Sequence, residues 1–129
     1  MKLRIRGNSL RLRLTQTEVK NIAEGQAVTE SVFFGEQKKI QYKLETSGQV
    51  QSLSADFFSD TVLVLIPFSV ALDWASSDVV SLTAEQDVGA GEKLHILVEK
   101  DFLCLKPRAQ KEDETDMFAN PNLDCGSCG

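Results

Sequence analysis

Leu3 and Ile5 alternate with Lys2, Arg4 and Arg6, and Leu10, Leu12 and Leu14 alternate with Arg11 and Arg13. A period of two is the mark of a strand with one buried face, so the chain opens with two strands. Gly7-Asn8 stands between them and suits a two-residue hairpin turn, where positive φ is required. That turn sets the register: Arg6 faces Ser9, Ile5 faces Leu10, Arg4 faces Arg11, Leu3 faces Leu12 and Lys2 faces Arg13. Every apolar residue then falls on one face. The other face carries cations directly across from one another, which costs from a few tenths to ~1 kcal/mol per pair unless something compensates.

Thr15 followed by Glu18 reads as a capping box that opens a short helix running to about Glu24, with Gly25 as its stop. Val19, Ile22 and Ala23 give that helix one narrow apolar stripe. From Ala27 to Ile66 the pattern predicts four more strands, at about 27–34, 39–46, 49–58 and 61–66. Gly35, Ser47-Gly48 and Ser59-Asp60 separate them, and such short connections suit an antiparallel meander. Ile40, Tyr42 and Leu44 alternate with polar residues, whereas the run Thr61–Ile66 is apolar on both faces and fits a central strand. Pro67 can open a second helix, at about 68–75, that includes Leu72 and Trp74. DVVSLTAEQ and KLHILVEKDFLCL then read as a last strand pair joined by the loop GAGE.

No internal repeat is apparent along the sequence. About eight strands, local connections and two short helices predict an α+β domain, mainly antiparallel: a curved sheet or half-open barrel with helices over one opening. The domain is expected over residues 1–106, and 107–129, rich in acids, Asn, Pro and Gly, reads as an extended tail.

The chain has 129 residues, 42% of them apolar and 26% charged, which suits one domain with a core that needs no disulfide staples. Its net charge is −5, but the charge is unevenly spread. Lys2, Arg4, Arg6, Arg11, Arg13 and Lys20 precede residue 21 against the single acid Glu18. Glu112, Asp113, Glu114, Asp116 and Asp124 crowd the end against Lys111. An acidic whole argues against duplex nucleic acid as a partner. The start lacks the apolar run of a secretory signal, and no apolar stretch approaches the length of a membrane span, so a cytoplasmic protein is expected.

The cationic face of the first hairpin, Lys2, Arg4, Arg6, Arg11 and Arg13, is the first candidate site. Guanidinium forks bind carboxylate or phosphate in bidentate fashion, so this face suits a small anion or an acidic protein segment. The alternative is internal neutralisation by Glu99 and Asp101 or by the acidic tail. The second candidate is Cys125-Gly-Ser-Cys128, whose spacing lets two thiolates reach one zinc or iron ion. Cys104, His95, Asp124 or the same pair in a second chain of a homodimer could complete it. The same spacing also admits a redox pair or an incidental thiol tail.

His95 alone could act as a general base, since imidazole titrates near neutral pH, but no nucleophile motif accompanies it. A packed histidine is the plainer reading, and an enzyme built on His95 with Glu99 or Asp101 is the least supported function. Trp74 reads as core. The tail's Met117-Phe118 is an apolar pair beside an acidic run; it either anchors that run in a basic groove or belongs to a solubilising tail. Together these features predict a small non-enzymatic binding or accessory domain, with a metal-binding protein as the alternative.

The stretches KLRIRGNSLRLRLTQTEV, LHILVEKDFLCL and EDETDMFANPN make the chain similar to a small bacterial family of uncharacterised proteins over nearly its whole length. That family has no assigned activity, cofactor or partner. The resemblance implies bacterial origin and single-domain size, and it assigns no functional residue.

Overall fold

A computed structural model describes residues 1–102. The elements run in the order β1 (Lys2–Arg6), β2 (Ser9–Leu14), α1 (Gln16–Ala23), β3 (Val28–Gly35), β4 (Lys38–Ser47), β5 (Ser54–Phe58), β6 (Thr61–Pro67), α2 (Phe68–Ser76), β7 (Ser81–Gly89) and β8 (Glu92–Lys100). The architecture is α+β, as the periodicity predicts. The β1–β2 hairpin has the register derived from Gly7-Asn8, with Arg4 opposite Arg11, and Gly7 supplies a φ of 55°. Thr15 and Glu18 form the capping box: the Thr15 hydroxyl accepts from the Glu18 amide, and a Glu18 carboxylate oxygen accepts from the Thr15 amide.

The strands, mainly antiparallel as expected, form two four-stranded sheets, β1-β2-β8-β7 and β3-β4-β6-β5, and close no barrel among the described residues. The expected meander through residues 27–66 does not form. β4 lies against β6 in parallel, and β5 is displaced to the sheet edge. The physical reason is that β6 is apolar on both faces and takes an interior place in its sheet, while the short β5 leaves Phe57 and Phe58 exposed. In the other sheet β2 and β8 are likewise parallel, with Ser9 opposite His95 and Leu14 opposite Lys100.

The structure also reveals a repeat that the residue pattern conceals. Two ββαββ units follow one another, β1-β2-α1-β3-β4 and β5-β6-α2-β7-β8. Their registers coincide. The pairing Lys2 with Arg13 through Arg6 with Ser9 recurs as Ser54 with Leu65 through Phe58 with Thr61. Val28 with Leu44 recurs as Leu82 with Val98, and the bulge between Phe33 and Gly35 recurs between Asp87 and Gly89. Each unit gives one hairpin to each sheet, so the inner strands of both sheets come from different units.

The core follows the same pattern. Leu12 and Val64, Leu14 and Ile66, Ile22 and Trp74, and Leu44 and Val98 occupy equivalent places, and all are buried. Trp74 is 1% exposed and donates its indole N–H to the Val80 carbonyl at 3.2 Å. The two helices pack on each other and close one end of the space between the sheets. Side-chain contacts seal both flanks. Gln86 on β7 bonds both backbone groups of Ala55 on β5, accepting at 2.9 Å and donating at 2.8 Å. On the other flank the Met1 amino group is ion-paired with Glu18 and with Glu30 of β3, and the Tyr42 hydroxyl donates to the Met1 carbonyl. No helix among the described residues is long and apolar enough to cross a membrane.

Candidate anion site on the outer sheet face

Strand alternation turns Leu3, Leu10, Leu12, Ile96 and Val98 inward and places Lys2, Arg4, Arg6, Arg11, Arg13, His95 and Glu99 on the outer face of the β1-β2-β8-β7 sheet. Rows across the strands define the site. One row runs Arg6, Ser9, His95, Glu85; the next runs Arg4, Arg11, Leu97, Thr83; a third runs Lys2, Arg13, Glu99, Ser81. All five predicted cations therefore share one surface. The parallel pairing of β2 with β8 brings His95 and Glu99 to them, although they are distant in sequence.

Glu99 answers two of the five. Its Oε1 lies 2.7 Å from an Arg11 guanidinium nitrogen and 3.0 Å from Arg13 Nε. The Glu99 side chain is 13% exposed, and there a charge-assisted hydrogen bond is stronger than in open solvent. Lys2 reaches Asp101 at 3.8 Å, a looser and more exposed contact. Arg4 has no ion pair among the described residues, and its nearest cross-strand neighbour is Arg11, a like charge.

Two depressions lie on this face. A cleft of about 600 Å³ is lined by Arg4, Arg6 and Arg11 from the hairpin and by Thr83, Glu85 and His95 from the other two strands. A smaller one of about 360 Å³ is bounded by Lys2, Leu3, Arg4, Arg11 and Arg13. Arg4 and Arg11 line both. Three guanidinium groups converging on one cleft can bind a carboxylate or a phosphate through paired N–H donors.

His95 stands at the rim of the larger cleft, with Nδ1 3.1 Å from Glu85 Oε2 and both side chains 56% exposed. The packed histidine expected from sequence is thus a surface residue with a carboxylate partner. That partner is neither Glu99 nor Asp101, because alternation puts Glu85 directly opposite His95 across the β7–β8 pair. The sequence reading missed Glu85. The signal lay in the β7–β8 hairpin, but the bulge between Asp87 and Gly89 shifts the register by one residue, which is enough to reverse the faces.

Of the four expected metal ligands, Cys104, Cys125 and Cys128 lie outside the described residues, as does the acidic tail. Among the described residues no group of three His, Cys, Asp or Glu side chains is placed to hold an ion.

A family model described as a family of unknown function (DUF7009) matches residues 1–122. No curated protein and no solved structure matches the chain.

Proposed function

We propose that this chain, which belongs to the DUF7009 family of unknown function, is a small non-enzymatic binding or accessory domain that takes an acidic protein segment on its arginine-bearing sheet face. The observation that carries this reading is Arg4. It has no ion pair among the described residues, faces Arg11 across the hairpin and lines both depressions. Repulsion between guanidinium groups on adjacent strands is a standing cost, and an incoming carboxylate relieves it. An acidic peptide fits better than a small anion because the cations are spread over three rows, a spacing matched by successive carboxylates along an extended chain.

The test is a titration of the full chain with a fluorescent hexaglutamate peptide at low and high salt, repeated with Arg4→Gln and with the Arg4→Gln, Arg11→Gln double variant. Binding that weakens steeply with salt and drops at least tenfold in the double variant is expected. Equal affinity for all three proteins removes the arginine face as the site.

A further inference from the structure

The open end of the molecule, opposite the helices, carries apolar side chains that alternation turns inward and packing leaves uncovered. Ile5 is 62% exposed, Phe57 64%, Val32 45% and Ile40 43%. Ile5 and Phe57 hold equivalent places in the two ββαββ units, so the exposure belongs to the architecture of that end rather than to one stray residue. Ile5 also stands between Arg4 and Arg6 on the edge strand β1. The apolar end and the cationic face therefore meet at one strand.

The chain beyond Phe102 contains a segment of matching chemistry. Glu112, Asp113, Glu114 and Asp116 are followed at once by Met117 and Phe118. The described chain leaves β8 beside the base of the cationic face: the Asp101 amide donates to the Leu14 carbonyl, and its carboxylate reaches Lys2. From Lys2 to Arg6 is roughly 13 Å along β1 at about 3.3 Å per residue. The linker of about ten residues before Glu112 can extend to roughly 33 Å. That length is enough for the acids to span the arginines and for Met117-Phe118 to reach the Ile5 edge.

We infer that segment 112–118 of this same chain occupies the site in cis, its carboxylates on the arginine face and Met117-Phe118 on the apolar end at Ile5, so that an external acidic partner binds by displacing it. This rests on the arginine face being an acidic-segment site. A tether of this length holds the segment at an effective concentration on the order of millimolar, which a free peptide must overcome.

The experiment uses the full chain, the Met117→Ser, Phe118→Ser variant and a variant with Glu112, Asp113, Glu114 and Asp116 changed to their amides. A labelled acetyl-EDETDMFANPN peptide is titrated into each, and the Ile5 and Ile40 amide resonances are followed. Both variants are expected to bind the peptide at least tenfold more tightly than the unaltered chain, and Phe118→Ser alone is expected to shift both resonances. A gain confined to the amide variant overturns the seating of Met117-Phe118. Equal affinity in all three proteins, with binding still lost on Arg4→Gln, overturns self-occupancy and leaves the arginine site standing. No arginine-dependent binding in any protein overturns both. A unaltered chain that runs as a dimer, and becomes a monomer in the serine variant, overturns occupancy in cis.

Discussion

Arg4 and Arg11 stand directly across the β1–β2 hairpin, and the Glu99 carboxylate that holds Arg11 forms no ion pair with Arg4. Two identical side chains in one cross-strand pair thus have different surroundings: both line the cleft, but Arg11 is held by a carboxylate and Arg4 has no ion pair among the described residues.

Arg4→Gln is therefore expected to leave stability unchanged or to raise it by up to ~1 kcal/mol, because it removes a like-charge pair. Glu99→Gln is expected to cost about 1–3 kcal/mol, because it removes the carboxylate charge that Arg11 and Arg13 share. Equilibrium urea denaturation of the two variants separates these roles. A cost for Arg4→Gln matching that for Glu99→Gln would place Arg4 in the structural network as well.

Stability should depend on pH at both ends of the range through the Met1–Glu18 pair. Burial works to lower the Met1 amino pKa, but the hydrogen bonds and charges of Glu18 and Glu30 outweigh it, and the net shift is upward from 8.0. This contribution is complete below pH 8.0 and is lost as pH rises through the raised value. Burial likewise works to raise the Glu18 pKa, but hydrogen bonds from the Met1 amino group and the Thr15 backbone carry it below 4.5. Its contribution is complete above pH 4.5 and fades as pH falls through the lowered value. Glu18→Gln should flatten both limbs while keeping the capping box, which glutamine also forms, so that the loss near neutrality is that of the ion pair with the Met1 amino group. Thermal melts across the pH range measure both effects.

Gln86→Ala should loosen the flank where the sheets meet. It removes the acceptor and the donor that satisfy the Ala55 backbone, an expected loss of about 1–3 kcal/mol. Hydrogen exchange at the Ala55 amide should accelerate more than that of Val64 in the neighbouring strand. Equal acceleration at both sites would mean that the flank is not a local clamp.

Trp74→Ala should cost about 3–5 kcal/mol, as for an aromatic removed from a closed core. Leu72→Ala on the same helix should cost well under that, since Leu72 is 43% exposed. Similar losses for the two would show that the exposed face of α2 is covered in solution.

The parts of the fold legible in sequence were those fixed by neighbours in the chain. The hairpin register followed from Gly7-Asn8 and the alternation around it, and the start of α1 from Thr15 and Glu18. Parallel pairing was illegible because nothing local in Leu10 or Leu12 says that Ile96 and Val98 will lie beside them. The repeat was hidden because equivalent places hold chemically different residues: Ile22 matches Trp74, while Arg11 and Arg13 match Leu63 and Leu65. That last divergence leaves one sheet cationic outside and makes the other apolar at the same positions. The cations of the site were visible from alternation alone, while Glu85 needed a register that one bulge decides.

The crossed hairpins also dictate when folding can finish. β2 gains its inner neighbour only when β8, the last strand described, has been made, and β4 waits for β6. During synthesis the first ββαββ unit leaves the ribosome with the inner edges of β2 and β4 unpaired and its buried leucines open to solvent. Structure that closes this late is dominated by contacts between distant parts of the chain, so folding should be slow for a domain of this size. A cut between β4 and β5 should then give two fragments that associate into one core, each unfolded without the other.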